Sequence, residues 1–430
     1  MYDYSEVGFI SSRLFNTLAH IQMNRAMQFK KGEKTVFPVP KKGVSRLLYV
    51  HIPFCERLCP YCSFNRVVYE EDLGRSYWKA LRKEVLLYKS AGYDFQGVYV
   101  GGGTPTIRIQ ELEETLALIR NEFSIREISV ETNPNHLDGR SIEVLKRSGV
   151  NRLSVGVQSF DTGLLKAMDR YDKYGSGPEI LKRLQSVSGE FDTLNADMIF
   201  NFAAQTPEIL GKDLDCLIES EVDQITYYPL MISDSTRRTM EQNIGAVDYS
   251  REKRYYEQIV KRLVPQYRFS SVWCFSRVPS LRDQTMSNQT AIDEYIISYE
   301  EYAGLGSGSF GYLNGTCYAN TFNIEEYICR INRGEAPLMA SRTFAIFDRV
   351  LYDLLMMLFG LRLDFAALAK KYGSVAWAYL SLPFLFLRLT GAVGNRMGSY
   401  FVTDRGRYYA LITMREFFIA VNNFRDFCRK

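Results

Sequence analysis

The sequence predicts an α/β protein, a parallel sheet of strand–helix repeats followed by a smaller helical module. Two observations carry this. Short β-branched runs alternate with amphipathic helical patterns between residues 47 and 228, and parallel strands need such helical crossovers between them. From Arg342 onward consecutive helical patterns dominate and a short hairpin pattern follows.

In order, residues 1–43 read as a helical start and an extended arm ending in Phe37-Pro38-Val39-Pro40. Strand patterns follow at 47–52, 97–100, 127–131, 152–157, 195–200 and 224–228, rich in Val, Ile, Leu and Tyr. Helical patterns separate them at 76–88, 111–121, 141–148, 178–187 and 207–219. These residues leave open whether the sheet is flat or curls into a barrel. After a core spanning 44–340, residues 341–430 form the smaller module, with helical patterns at 344–358, 364–371 and 375–387. A glycine turn at 391–394 and a strand at 399–402 then give it the look of a winged-helix module.

Composition excludes several classes. The 430 residues carry 53 Lys+Arg against 49 Asp+Glu, too even a balance for a nucleic-acid binder. The aromatic content, 14%, suits an ordinary core. The most apolar stretches, 351–363 and 375–387, are broken by Asp353 and Pro383 and fall short of the roughly 20 residues of a membrane span. Acidic residues in 1–6 do not fit a secretory signal, so a cytoplasmic location is expected.

Of the eight cysteines, Cys216, Cys274, Cys317, Cys329 and Cys428 are scattered, as core or incidental thiols are. Cys55, Cys59 and Cys62 are packed into eight positions just after the first strand. Three thiolates on one loop can hold a four-iron cluster and leave one iron open to a substrate. A zinc site would need a fourth ligand. His51 is in reach in sequence, but at the end of a strand it more readily packs or hydrogen-bonds. The spacing favours the cluster.

Gly101-Gly102-Gly103-Thr104-Pro105-Thr106 closes the second strand. Its glycines allow close backbone approach to a ligand, although alone they could form a tight turn. Neither a P-loop nor a dinucleotide fingerprint fits. Polar residues also fall at strand ends, where parallel α/β folds bind ligands: Glu131 ends the third strand and Gln158 follows the fourth. Asp197 lies inside an apolar strand, which costs free energy unless it has a partner; a satisfied structural carboxylate is the alternative. Arg170, beyond the helix led by Asp161, could equally be a solvated helix-end cation.

Together, Tyr49-Val50-His51-Ile52-Pro53-Phe54-Cys55, the three-cysteine loop, the triple-glycine segment and residues 149–160 (GVNRLSVGVQSF) resemble the oxygen-independent coproporphyrinogen III oxidase (HemN-like) branch of the radical SAM superfamily. The resemblance implies a partial (β/α)6 TIM-like barrel, with a [4Fe–4S] cluster on Cys55, Cys59 and Cys62. It also implies S-adenosylmethionine, in one or two copies, at Tyr49, Tyr61, Gly102, Gly103, Thr104, Glu131, Gln158, Arg170 and Asp197. The implied chemistry is reductive cleavage of S-adenosylmethionine and hydrogen abstraction from a bulky substrate of tetrapyrrole type. A flavodoxin or ferredoxin would supply the electron. A class C methyltransferase and a haem chaperone are the alternative members.

Two departures bear on the choice. Coproporphyrinogen dehydrogenases usually carry a fourth cysteine where this chain has Phe64, as haem-chaperone relatives do. The chaperones' C-terminal His-Asn and Tyr-Trp pairs are also absent, and the three histidines are His20, His51 and His136. Residues 304–312 resemble the family's glycine-rich segment near a substrate or second-cofactor pocket, or else form a turn cluster, and Asn320 follows them.

Overall fold

The computed structural model describes residues 9–34, 36–278, 295–396 and 399–429; the acidic start, 1–8, lies outside them. The expected strands form β1 (Arg46–Ile52), β2 (Gly97–Gly102), β3 (Glu127–Thr132), β4 (Arg152–Gln158), β5 (Thr193–Phe200) and β6 (Gln224–Pro229). They pair in parallel in that order. Helices Glu71–Ser90, Ile109–Glu122, Gly139–Arg147, Gly177–Ser186 and Pro207–Glu219 make the crossovers. Their starts are written locally. Asp138 accepts from Ser141 N at 3.0 Å, and Thr206 precedes Pro207 and accepts from Ile209 N at 3.3 Å.

A seventh parallel strand, β7 (Glu301–Leu305), pairs with β1, so the parallel set exceeds the six expected. Its glycine and lack of β-branched residues disguise it. It is held by a five-residue ladder and by Ala303 and Leu305 in the core, and a charge pair marks its register: Glu301 lies opposite Arg46, and the buried pair meets at 2.7 Å. Antiparallel strands extend both edges to thirteen, and hydrogen bonding runs in one line without closing. The barrel is therefore incomplete.

Alternation along the strands sorts the faces. Leu48, Val50, Val98, Val130, Leu153 and Leu194 join the main core with the helices. The opposite face carries Tyr49, Tyr99, Glu131, Ser154, Asn195 and Asp197, and it is satisfied by cross-strand bonds. Arg152 donates to Gln224 and Ser129, both at 2.9 Å, and Asn195 donates to Ser154 at 2.8 Å. Thr226 donates to Asn195 at 3.0 Å. A polar lumen of this kind needs partners at every position.

The C-terminal region is helical, with helices Ile346–Phe359, Phe365–Tyr372 and Val375–Leu389, then the hairpin Val393–Arg396/Ser399–Val402. A long final helix, Asp404–Arg429, was not expected from the sequence. It packs along the N-terminal helix Phe9–Ala26, and strand Lys30–Lys34 pairs with Leu338–Thr343. The two chain ends thus build one layer. Among the described residues no helix is long and apolar enough to cross a membrane.

Candidate functional site

β1 delivers the cysteine loop to the carboxyl end of the sheet. Cys55 is buried and ends the short strand Phe54–Cys55, while Cys59 and Cys62 are half-buried. Cys62 N donates to Cys59 O at 3.2 Å. Arg66 closes the turn by donating to the carbonyls of Cys59 at 2.5 Å and Cys62 at 2.7 Å. Burial pushes the Cys55 thiol up to about 11, so a metal must displace a tightly held proton there.

A continuous ring of contacts joins two of the thiols. Thr104 Oγ1 donates to Cys55 Sγ at 3.7 Å and accepts from Asn133 Nδ2 at 2.9 Å. Asn133 Oδ1 accepts from Arg170 Nη2 at 3.3 Å, and Arg170 Nη1 donates to Cys59 Sγ at 3.7 Å. Arg170 also donates to Tyr61 Oη at 3.3 Å and Gly156 O at 2.5 Å. With only 4% of its surface exposed it is no solvated helix-end cation. Burial opposes its charge, but Tyr61, Tyr174 and Cys59 raise its pKa, and the cation is retained. Its Nε is buried and unpartnered.

The triple glycine is required by close approach. Gly102 has φ 114°, and a Cβ there would meet the His51 ring at 2.6 Å. At Gly103 a Cβ would lie 2.5 Å from Phe54 O, while Gly103 N and Thr104 N donate to Ile52 O and Phe54 O, both at 2.7 Å. Glu131 reaches back to this segment, accepting from Gly102 N at 3.1 Å and Tyr99 Oη at 2.9 Å. Gln158 sits at a register shift in β4 with φ 73°, a left-handed conformation that non-glycine residues seldom hold. A Cβ on Gly156 would touch the Gln158, Asn133 and Arg170 side chains, so these converge. Asp197 accepts from Ser154 at 2.7 Å and Asn195 at 3.0 Å, which removes the cost of placing it in the strand. The edge of Tyr61 faces Phe202 across 6.0 Å.

Tyr49 Oη bonds His51 Nδ1 at 3.0 Å, and His51 Nε2 bonds Asn65 O at 2.8 Å. Both imidazole nitrogens are engaged and burial lowers its pKa to about 4, so His51 packs as expected. Of residues 304–312, only 306–309 form a turn, between β7 and the strand Phe310–Leu313. Their donors are used internally: Gly306 N donates to Glu84 at 2.8 Å, Ser307 N to Tyr77 Oη at 3.0 Å and Gly308 N to Thr321 O at 2.9 Å. Asn320 points inward to Glu84 at 3.1 Å.

Four of the participating residues were not foreseen. Asn133, directly after β3, had only its strand-end position to signal it. Glu56, inside the cysteine loop, is held by Lys173 at 2.9 Å, Asn135 at 3.2 Å and His136 at 3.3 Å. The hydrogen bond from His136, then Lys173, lowers its pKa to about 2. From the C-terminal helix, Arg429 donates to Ser63 O at 2.7 Å and Arg425 lies over the Phe64 ring at 4.6 Å.

Comparison with known proteins agrees with this geometry. Residues 49–187 match the model of the radical SAM superfamily. The chain is 31% identical over 288 residues to the heme chaperone HemW of Lactococcus lactis, spanning 65% of this chain and 73% of that one. To HemW of Bacillus subtilis it is 25% identical over 377 residues, 84% and 95% of the two. The crystallised coproporphyrinogen III oxidase HemN of Escherichia coli, a radical SAM enzyme, shares the fold with a TM-score of 0.71 at 20% identity, covering 91% and 92%. The radical SAM superfamily implies a [4Fe–4S] cluster and S-adenosylmethionine. The chain belongs to the HemN/HemW-like family of that superfamily.

Proposed function

We propose that Cys55, Cys59 and Cys62 hold the [4Fe–4S] cluster and that the protein is a radical S-adenosylmethionine enzyme acting on a bulky, tetrapyrrole-like substrate. The observation that carries this reading is the ring from Cys55 Sγ through Thr104, Asn133 and Arg170 to Cys59 Sγ. The donors suit the group: three thiols on one loop, a buried cation beside one of them, and Gly103 packed where any side chain would intrude. When bound, the cluster supplies an open iron for the amino and carboxylate groups of S-adenosylmethionine and the electron that breaks its sulfonium bond.

The chain's own residues bind and orient. Arg170 offsets the thiolate charge at Cys59, and Arg66 and Glu56 fix the loop on either side. Glu131, already an acceptor at the Gly102 amide, is placed to take an ammonium group. Gly102, Gly103 and Thr104 let the methionine end lie against backbone, and Gln158 and Asp197 line the lumen for the nucleoside. Tyr49 backs the wall through His51. Tyr61 against Phe202 excludes water. A flavodoxin or ferredoxin is the proposed electron donor. Residues 44–340 form the catalytic unit in this reading, flanked by 1–43 and 341–430.

A haem-carrier role is the second reading, favoured by Phe64 at the fourth-cysteine position, capped by Arg425. Its cost is ligation. Both ring nitrogens of each histidine are engaged, His20 with Glu416 at 2.8 Å and Asn24 at 3.1 Å, His51 with Tyr49 and Asn65, and His136 with Thr106 at 2.7 Å and Glu56 at 3.3 Å, so haem iron would need another ligand. The test is anaerobic reconstitution, reduction with dithionite and addition of S-adenosylmethionine. Formation of 5′-deoxyadenosine and methionine supports the enzyme. Stoichiometric haem retention with no cofactor cleavage supports the carrier instead.

A further inference from the structure

The helix 375–389, VAWAYLSLPFLFLRL, contains one charged residue, Arg388. A helix this apolar is ordinarily buried. Here Leu382 and Leu389 are 77% and 78% exposed, and Leu385 and Phe386 are 51% and 41% exposed. The spacing 382, 385, 386, 389 sets the four on one stripe. Leu382 and Phe386 also border an apolar cavity of about 600 Å³, shared with Phe15, Phe347 and Phe417. On the neighbouring N-terminal helix, Leu18 and Ile21 are exposed as well. Such clustering marks an interaction surface.

Charge identifies the occupant. Residues 365–403 contain Lys370, Lys371, Arg388 and Arg396 and no Asp or Glu, and the helix 9–26 has no carboxylate either. The two carboxylates of helix 346–359 are neutralised, Asp348 by Arg342 at 3.1 Å and Asp353 by Lys371 at 2.8 Å. Residues 341–430 hold 13 Lys+Arg against 6 Asp+Glu, although the whole chain is only +4. A second copy of the chain would set these cations against their equals.

The helix has 15 residues and Pro383 inside it. At 1.5 Å per residue it spans roughly 22 Å, short of the ~30 Å bilayer core. It can lie in an interface but not cross one.

We propose that this face docks on an anionic lipid bilayer, with the Leu382–Leu385–Phe386–Leu389 stripe set into the acyl boundary and the cations Lys370, Arg388 and Arg396 of the same segment on the headgroups. The surface is independent of the cysteine loop, so the proposal stands or falls apart from the reading of the cluster.

The test is flotation of the full-length protein with vesicles of pure phosphatidylcholine, or with about one-third phosphatidylglycerol. The wild type should float with the anionic vesicles about tenfold better than with the neutral ones and be released by high salt. L382E/L389E should lose about tenfold in binding while keeping its thermal melt, because both side chains are exposed. L86E, at another exposed apolar position, should bind as wild type does. Failure of the wild type to float with anionic vesicles, equal binding to neutral ones, or undiminished binding of L382E/L389E would overturn the proposal. So would a wild-type dimer by light scattering that L382E/L389E makes monomeric, since the face would then belong to a second copy.

Discussion

Replacing Arg170 with methionine keeps most of the side chain's length and removes its guanidinium. The guanidinium donates to Gly156 O at 2.5 Å and Asn133 Oδ1 at 3.3 Å, and it also touches Tyr61 Oη and Cys59 Sγ. Arg170→Met leaves those two oxygens without their donor, and a buried unsatisfied group costs about 1–3 kcal/mol. Two of them cost about 2–6 kcal/mol. Relief of the desolvation of a buried cation offsets part of this, so the expected loss is about 2 kcal/mol, a large share of a typical 5–15 kcal/mol stability. Urea unfolding of the cluster-free protein at fixed pH reads this difference. The same variant, reconstituted, should form much less 5′-deoxyadenosine, because Cys59 loses its neighbouring cation. Arg170→Lys should recover little, since an ammonium cannot reach all four partners at once. If Arg170→Met unfolded within about 0.5 kcal/mol of wild type and turned over normally, the ring of contacts would have no energetic reality.

Cys59→Ala should bring the cluster's visible charge-transfer absorbance and the iron content after reconstitution down to background, whereas Cys329→Ala, at an exposed thiol outside the loop, should leave both unchanged. Gly103→Ala places a Cβ 2.5 Å from Phe54 O and 2.9 Å from Ile52 O, both backbone atoms that cannot swing aside; a loss of about 2 kcal/mol by urea unfolding and poor cluster retention are expected. Burial raises the Asp213 carboxyl to about 7. Because this lies above the unfolded value, the folded chain holds the proton more tightly; the stabilisation is full below about pH 4 and lost as pH rises through 7. It amounts to up to roughly 4 kcal/mol. Asp213→Asn should therefore flatten the fall in unfolding free energy between pH 5 and 8, and an unchanged slope would refute the assignment.

What the sequence revealed depended on whether a residue acts through spacing or through contact. Cys55, Cys59 and Cys62 stand out as candidates because three thiols in eight positions have few other uses, and the six alternating strands were legible from their period. Arg170 was ambiguous because its burial comes from the Tyr61 and Tyr174 side, which no local pattern encodes; its guanidinium lies 4.2 Å over the Tyr174 ring. Asn133 and Glu56 are ordinary polar residues until helix and loop bring Arg170 and Lys173 to them. β7 escaped notice because the strand it pairs with is far off in sequence, Glu301 meeting Arg46 across 255 residues, so no local pattern marks it. The final helix was hidden behind Gly406, which reads as a turn but is there because a Cβ would run into the Ala392 carbonyl.

The most direct test of the central claim is the EPR spectrum of the anaerobically reconstituted, dithionite-reduced protein before and after S-adenosylmethionine is added. A [4Fe–4S]⁺ signal whose g-values shift on addition is the predicted result, since one iron is left open by three thiolates. Absence of a four-iron signal, or a signal indifferent to S-adenosylmethionine, would contradict it.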